Sequence, residues 1–256
     1  MIGSNPALNE DTFSIPVSEL DERRDVMTLG NTMLKSLTLV GICIVAATIT
    51  WGIAVNQGMG AAMPWVLIGA IGGFIVGAVT VFKPHLSPYT APVYAILEGL
   101  FLGAVSAFYE YSFGAPNGQA GPLSGIVIQA VGLTIGVTLV MLTLYGTRVI
   151  RVTDKLRTGI LAAVGAIMVV YLINFALFLF GIQMPYLHDN SPIGIGISLV
   201  IVAVASFYLL LQFDLIETGV RQGAPKYMEW YAGFALLVAL VWLYLEILRL
   251  LAKLRR

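Results

Sequence analysis

The chain has 256 residues, of which 58% are hydrophobic and only 11% charged, with no formal net charge and a mean hydropathy of +0.89. Soluble domains carry roughly 25% charged residues, so a soluble domain is excluded and a polytopic, all-α membrane protein is expected. The balanced charge offers nucleic acid nothing to bind, and the lone Cys43, inside an apolar run, has no partner for an internal disulfide.

Residues 1–33 are polar. They hold six acids (Glu10, Asp11, Glu19, Asp21, Glu22, Asp25) and two bases, Arg23 and Arg24. This stretch reads as a largely disordered acidic tail with a short surface helix near its end and no cleavable signal peptide. A hydrocarbon core about 30 Å thick needs about 20 apolar residues in a helix. Segments 34–55, 62–82, 91–109, 123–145, 158–181 and 193–213 meet that length. A seventh, 230–252, is long enough but contains Glu246 and Arg249. The expected organisation is a tail (1–33), a seven-helix domain (34–252) and a basic end (253–256). The connections, such as Asn56-Gln57-Gly58, Ala115-Pro116-Asn117-Gly118 and Ser191-Pro192, are turn chemistry.

Ten of the fourteen bases fall in the tail, the first-span entry and the second, fourth and sixth connections. The first, third and fifth connections have none, so the amino terminus is expected in the cytoplasm. Arg249, Lys253, Arg255 and Arg256 then lie outside if segment seven crosses and inside if it re-enters. Its apolar length favours a crossing. Gly69, Gly73 and Gly77 in the second span, and Gly99 and Gly103 in the third, have the four-residue spacing that lets helix backbones approach closely in lipid.

Three acids interrupt apolar segments. An ionised group at membrane depth costs about 2.5–3.5 kcal/mol on insertion scales, so each needs a partner or a wet cavity. Glu98 lies about 10 Å into its span, one turn from Tyr94. Asp214 closes the sixth span, and Glu217 follows three residues later. Glu246 has Arg249 at i+3, an arrangement that permits an intrahelical ion pair. Asn174, mid-span in the fifth helix, has the chemistry to hydrogen-bond across helices. His85 and His188 lie in connections and read as solvated loop residues, although His188-Asp189 would attract cations. No HExxH, CxxC, GxSxG or P-loop pattern occurs, and no histidine lies in a span. That argues against an enzyme, and no cofactor is expected. The hard ligands at depth are carboxylates, tyrosines and carbonyls, which suit Ca²⁺ or protons. Two carboxylates in one cavity titrate as a coupled pair.

Glu98-Gly99-Leu-Phe-Leu-Gly103, Phe213-Asp214-Leu-Ile-Glu217 and Leu243-Tyr244-Leu245-Glu246-Ile247 with its leucine-rich sequel resemble the motifs of the Bax inhibitor family (YccA-like, transmembrane Bax inhibitor motif). The resemblance covers roughly residues 30–254, and the acidic tail and long sixth connection look like its actinobacterial-type branch. It implies seven helices with the seventh central, in a bacterial plasma membrane. It also implies a pH-sensitive Ca²⁺ leak gated by a carboxylate dyad, which here is Asp214 with Glu246, a glutamate standing where the family has an aspartate. Glu98 is a third acid near that path, and Arg249, Tyr94 and Asn174 are supporting residues.

The two acids of the dyad are separated by 31 residues. Continuous antiparallel helices would leave them about 15 Å apart in depth. They meet only if Tyr227-Met228-Glu229-Trp230-Tyr231 forms an interfacial segment; otherwise Asp214 more naturally faces Glu98. The competing expectation is a non-conducting membrane regulator that binds other membrane proteins, such as a quality-control protease. Besides the lipid bilayer, the expected partners are therefore Ca²⁺ and protons, or membrane proteins.

Overall fold

The computed structural model describes residues 26–114, 125–181 and 191–255. The acidic tail to Asp25, the turn at Ala115–Gly118, the pair His188-Asp189 and Arg256 lie outside the described residues. Seven long helices are described: α1 Leu29–Gln57, α2 Met59–Phe82, α3 Ser87–Phe113, α4 Ile126–Gly146, α5 Asp154–Leu179, α6 Pro192–Arg221 and α7 Met228–Leu254. All seven are long and apolar enough to cross a membrane, and each predicted span coincides with one of them. The protein is an all-α, multi-pass membrane protein whose surroundings are a lipid bilayer.

The helix ends follow local chemistry. Thr28 caps α1 by accepting from the Asn31 amide at 3.3 Å, so residues 29–33 belong to the first helix rather than to the tail. Ser191 caps α6 in the same way, with Pro192 at the first helical position. Helix α6 runs eight residues beyond its predicted span. It stops at Gly223, whose φ of +65° lets the Gly223 and Ala224 amides return to the carbonyls of Val220 and Gly219. The connection is short: Tyr227 caps α7 and Met228 to Tyr231 form its first turn, so no separate segment lies between the two helices.

Helix α7 is central and packs directly against α1, α3, α4 and α6. One apolar cluster joins its Phe234, Leu237 and Val241 to Leu39 of α1 and Leu102 of α3. A second joins Leu243, Ile247 and Leu248 to Ile126 of α4 and Leu209 of α6. Helices α2 and α5 are peripheral, resting mainly on α3 and α6. Glycine governs the tightest crossings. A Cβ on Gly69 would lie 2.6 Å from the Leu97 carbonyl oxygen, and Cβ atoms on Gly99 and Gly103 would collide with the backbone of Cys43 and Ala47. The two predicted glycine series thus clamp α3 between α2 and α1.

Residues 26–28, 83–86, 147–153 and 222–227 share one end of the bundle, called here the tail end; the opposite end is the far end. At the tail end the chain preceding α1 is fastened to the α6–α7 connection. Val26 bridges Pro225, and the Met27 amide donates to Ala224 at 2.7 Å. The fully buried Glu229 accepts from the Thr28 amide and hydroxyl and from Lys35.

Candidate functional site

Helix α7 carries Glu246 toward the far end, with its side chain only 1% exposed. The carboxylate accepts from the Tyr171 hydroxyl of α5 at 2.6 Å and from the Trp242 indole at 3.2 Å. Arg249, one turn on, pairs with it at 3.1 Å. The same guanidinium donates to the Tyr171 oxygen at 2.6 Å and stacks over its ring. A buried carboxylate is tolerable when a cation and hydrogen bonds compensate the lost hydration, and both are present. The i, i+3 geometry of Glu246 and Arg249 was visible in the sequence. Tyr171, 75 positions away, was not; its only signal was one phenol in a largely apolar mid-span.

Asp214 lies near the tail end of α6, with its side chain 18% exposed, and pairs with Arg157 of α5 at 3.1 Å. Glu217, one turn on, accepts from the Tyr145 hydroxyl and lies 3.5 Å from Arg148 and 3.8 Å from Arg221. These groups tie α4, α5 and α6 together at the tail end. Arg157 and Tyr171 are fourteen residues apart on α5, about 21 Å along the axis. The two acids bound to them are therefore held at well-separated depths in the bundle. The dyad implied by the family resemblance is not assembled in this conformation, and the physical reason is the short turn at 222–227, which leaves the depth mismatch uncorrected.

Asp214 does not face Glu98 either. Glu98, half-buried on α3, lies among Tyr94, Cys43 of α1 and the cleft opened by Gly73 of α2, where a Cβ would lie 3.3 Å from its carboxylate. It takes part in none of the ion pairs among the described residues. Asn174, half-buried on α5, makes no side-chain hydrogen bond to a described residue. His85 is exposed in a short 3-10 turn, Pro84–Leu86. Among the described residues no three carboxylate, histidine or cysteine side chains gather as a metal would require.

A family model described as Bax inhibitor 1 like matches residues 5–256. The chain belongs to that family. This Bax inhibitor 1 like chain is also 36% identical over 83 residues to the fluoride-specific ion channel FluC of Variovorax paradoxus (strain S110), a match covering 30% of this chain and 65% of that relative. The chain thus spans less than two thirds of that relative's length. No solved structure matches it at a significant level. Within this family member, the two acids singled out on α6 and α7 each have an arginine of their own, while Glu98 has none among the described residues.

Proposed function

We propose that the chain is a cation leak protein of a bacterial plasma membrane, with its amino terminus in the cytoplasm, passing Ca²⁺ under proton control. The observation that carries this reading is the Asp214–Arg157 pair, which joins α5 to α6 at the end of the bundle where both groups still reach solvent. In this reading the conformation is the closed one. Arg157 neutralises the acid at the cytoplasmic mouth, Arg249 neutralises the one near the opposite mouth, and the apolar surface of α7 lies between them. Protonating Asp214 removes the charge that holds Arg157, so acidification frees α5 from α6 and raises the leak. Once Arg157 is released, backbone carbonyls and the acids that remain ionised along the path are oxygen ligands of the kind Ca²⁺ takes. Family membership supports the reading. The resemblance to a relative named as an ion channel agrees with conduction but not with the choice of ion. No enzymatic step and no cofactor is assigned.

Ca²⁺ entry into dye-loaded proteoliposomes, compared at neutral and acidic pH, tests the proposal. Wild type should leak more on acidification, and Asp214→Asn should leak constitutively and lose the response. A pH response retained in both Asp214→Asn and Glu246→Gln would overturn it.

A second reading is a non-conducting regulator of other membrane proteins. It is favoured by the separate partners of Asp214 and Glu246, which make both acids structural. Capture of a membrane protease by the full chain, lost on deleting residues 1–30, with no ion flux, would select it.

A further inference from the structure

Between α1 and α4 the bundle is open. These two helices do not pack against one another, and the gap between them is a crevice of about 580 Å³ whose floor is α3 and α7. Its rim is exposed: Leu37 and Ile44 on α1, and Ile135 and Leu139 on α4, all show more than half their surface. Its floor is not. Leu102 and Val241 are 8% exposed, and Ser106 is 6%. The crevice therefore gives the surroundings a side entrance to the central helix, at a level that the other helices cover.

The chemistry of the lining restricts what can occupy it. No charged side chain contributes. Each hydroxyl in it already takes part in a hydrogen bond within the protein. Thr48, Thr134 and Thr138 donate to carbonyls of their own helices. Ser106 and Tyr244, on the floor, bond to each other at 2.6 Å. A buried water needs about two to four polar partners; the crevice offers only scattered hydroxyl lone pairs and the Trp51 indole N–H in an otherwise apolar lining, so neither water nor an ion is its natural occupant. An empty crevice would forfeit dispersion contacts along its whole lining. The apolar medium at this depth is bilayer hydrocarbon.

Direction and length agree with that occupant. On α1 the lining runs from Leu37 to Trp51, fourteen residues or about 21 Å parallel to the helix axis. That is shorter than the full hydrocarbon thickness of about 30 Å and longer than one leaflet's half of it. On α4 the lining begins at Val127, in the first turn of that helix at the far end, so the crevice opens to the far-end leaflet. We propose that it is a binding site for one acyl chain of a phospholipid in that leaflet, seated between α1 and α4 and in contact with Leu240, Val241 and Tyr244 of α7. The site is independent of the ion-leak reading.

The test uses the full chain in phosphatidylcholine vesicles doped with a phosphatidylcholine that carries a photoactivatable diazirine in its acyl chain. After irradiation, adducts are mapped by peptide mass spectrometry. Adducts are expected on Leu102, Val241 and Tyr244 as well as on the outward-facing Phe74 of α2, which is 78% exposed. Filling the crevice from either rim, with Val131→Trp or separately Ile44→Trp, should reduce floor labelling several-fold and leave Phe74 labelling unchanged. Retained Phe74 labelling reports that a variant is folded in the bilayer. Floor residues that stay unlabelled in wild type, or floor labelling unaltered in both filled variants, would overturn the proposal.

Discussion

Arg249→Met is the sharpest perturbation of the far-end cluster, because it leaves the Glu246 carboxylate in place at 1% exposure without its cation. Removing one partner of a buried ion pair costs about 3–5 kcal/mol, since the other charge stays buried and uncompensated. Glu246 keeps the Tyr171 and Trp242 hydrogen bonds, and a hydrogen bond to a charged group contributes about 1.5–3 kcal/mol. The expected loss therefore lies at the low end of the range, about 3 kcal/mol. The double variant Glu246→Gln/Arg249→Met buries no charge and should cost only about 1 kcal/mol; with Glu246→Gln alone also at about 1 kcal/mol, the coupling between the two sites is about 3 kcal/mol. Reversible unfolding in mixed micelles with increasing sodium dodecyl sulfate, followed by helical circular dichroism, measures all four forms. A single-variant loss under about 1 kcal/mol, the range of exposed pairs, would refute the reasoning. So would strict additivity in the cycle.

Other predictions follow from the same contacts. Glu98→Gln, which removes a carboxylate lacking a cation among the described residues, should be neutral or stabilising in the same unfolding assay, whereas Glu246→Gln should destabilise. The reverse order would contradict the assignment of partners. Gly103→Leu should cost at least about 1–3 kcal/mol by overpacking against Ala47 and Thr50 of α1, while Gly136→Leu, where no atom lies within 4 Å of the added Cβ, should be tolerated. Equal melting temperatures for those two variants would count against the α1–α3 contact. Glu229→Gln strips Lys35 of its partner and weakens the bonds to Thr28, and should raise protease cleavage near residue 28 by roughly tenfold for about 1.4 kcal/mol of lost local stability. Unchanged cleavage would show that the segment is held by other contacts. Arg157→Met should change stability by less than about 1 kcal/mol, because its pair with Asp214 is partly solvated, while altering ion flux; a large stability loss without a change in flux would make the pair structural.

Much of the fold was legible because membrane crossing is written in composition. Seven apolar runs with turn residues between them define the helices, and the two glycine series marked the faces that clamp α3. The ends were less legible. Segment six was read to residue 213, where its apolar run stops, but helix α6 continues to Arg221 because its polar last turns are tied by Arg157, Arg148 and Tyr145. The site was legible only where it is local. The pairing of Glu246 with Arg249 follows from helical spacing, and the depth mismatch between Asp214 and Glu246 follows from counting residues across the turn. Partners supplied by a distant helix, Tyr171 for Glu246 and Arg157 for Asp214, leave no trace in local periodicity. Glu229 illustrates the same limit. It stood in an aromatic stretch that read as interfacial, and its burial against Thr28 and Lys35 depends on contacts about 200 residues apart in the chain.

The central claim is conduction controlled by the Asp214–Arg157 pair, and Ca²⁺ flux into proteoliposomes of purified wild type and Asp214→Asn measures it most directly. The account predicts a wild-type flux above that of empty vesicles that rises on acidification, and an Asp214→Asn flux that is high at both pH values. A wild-type flux no greater than that of empty vesicles, at either pH, would contradict it.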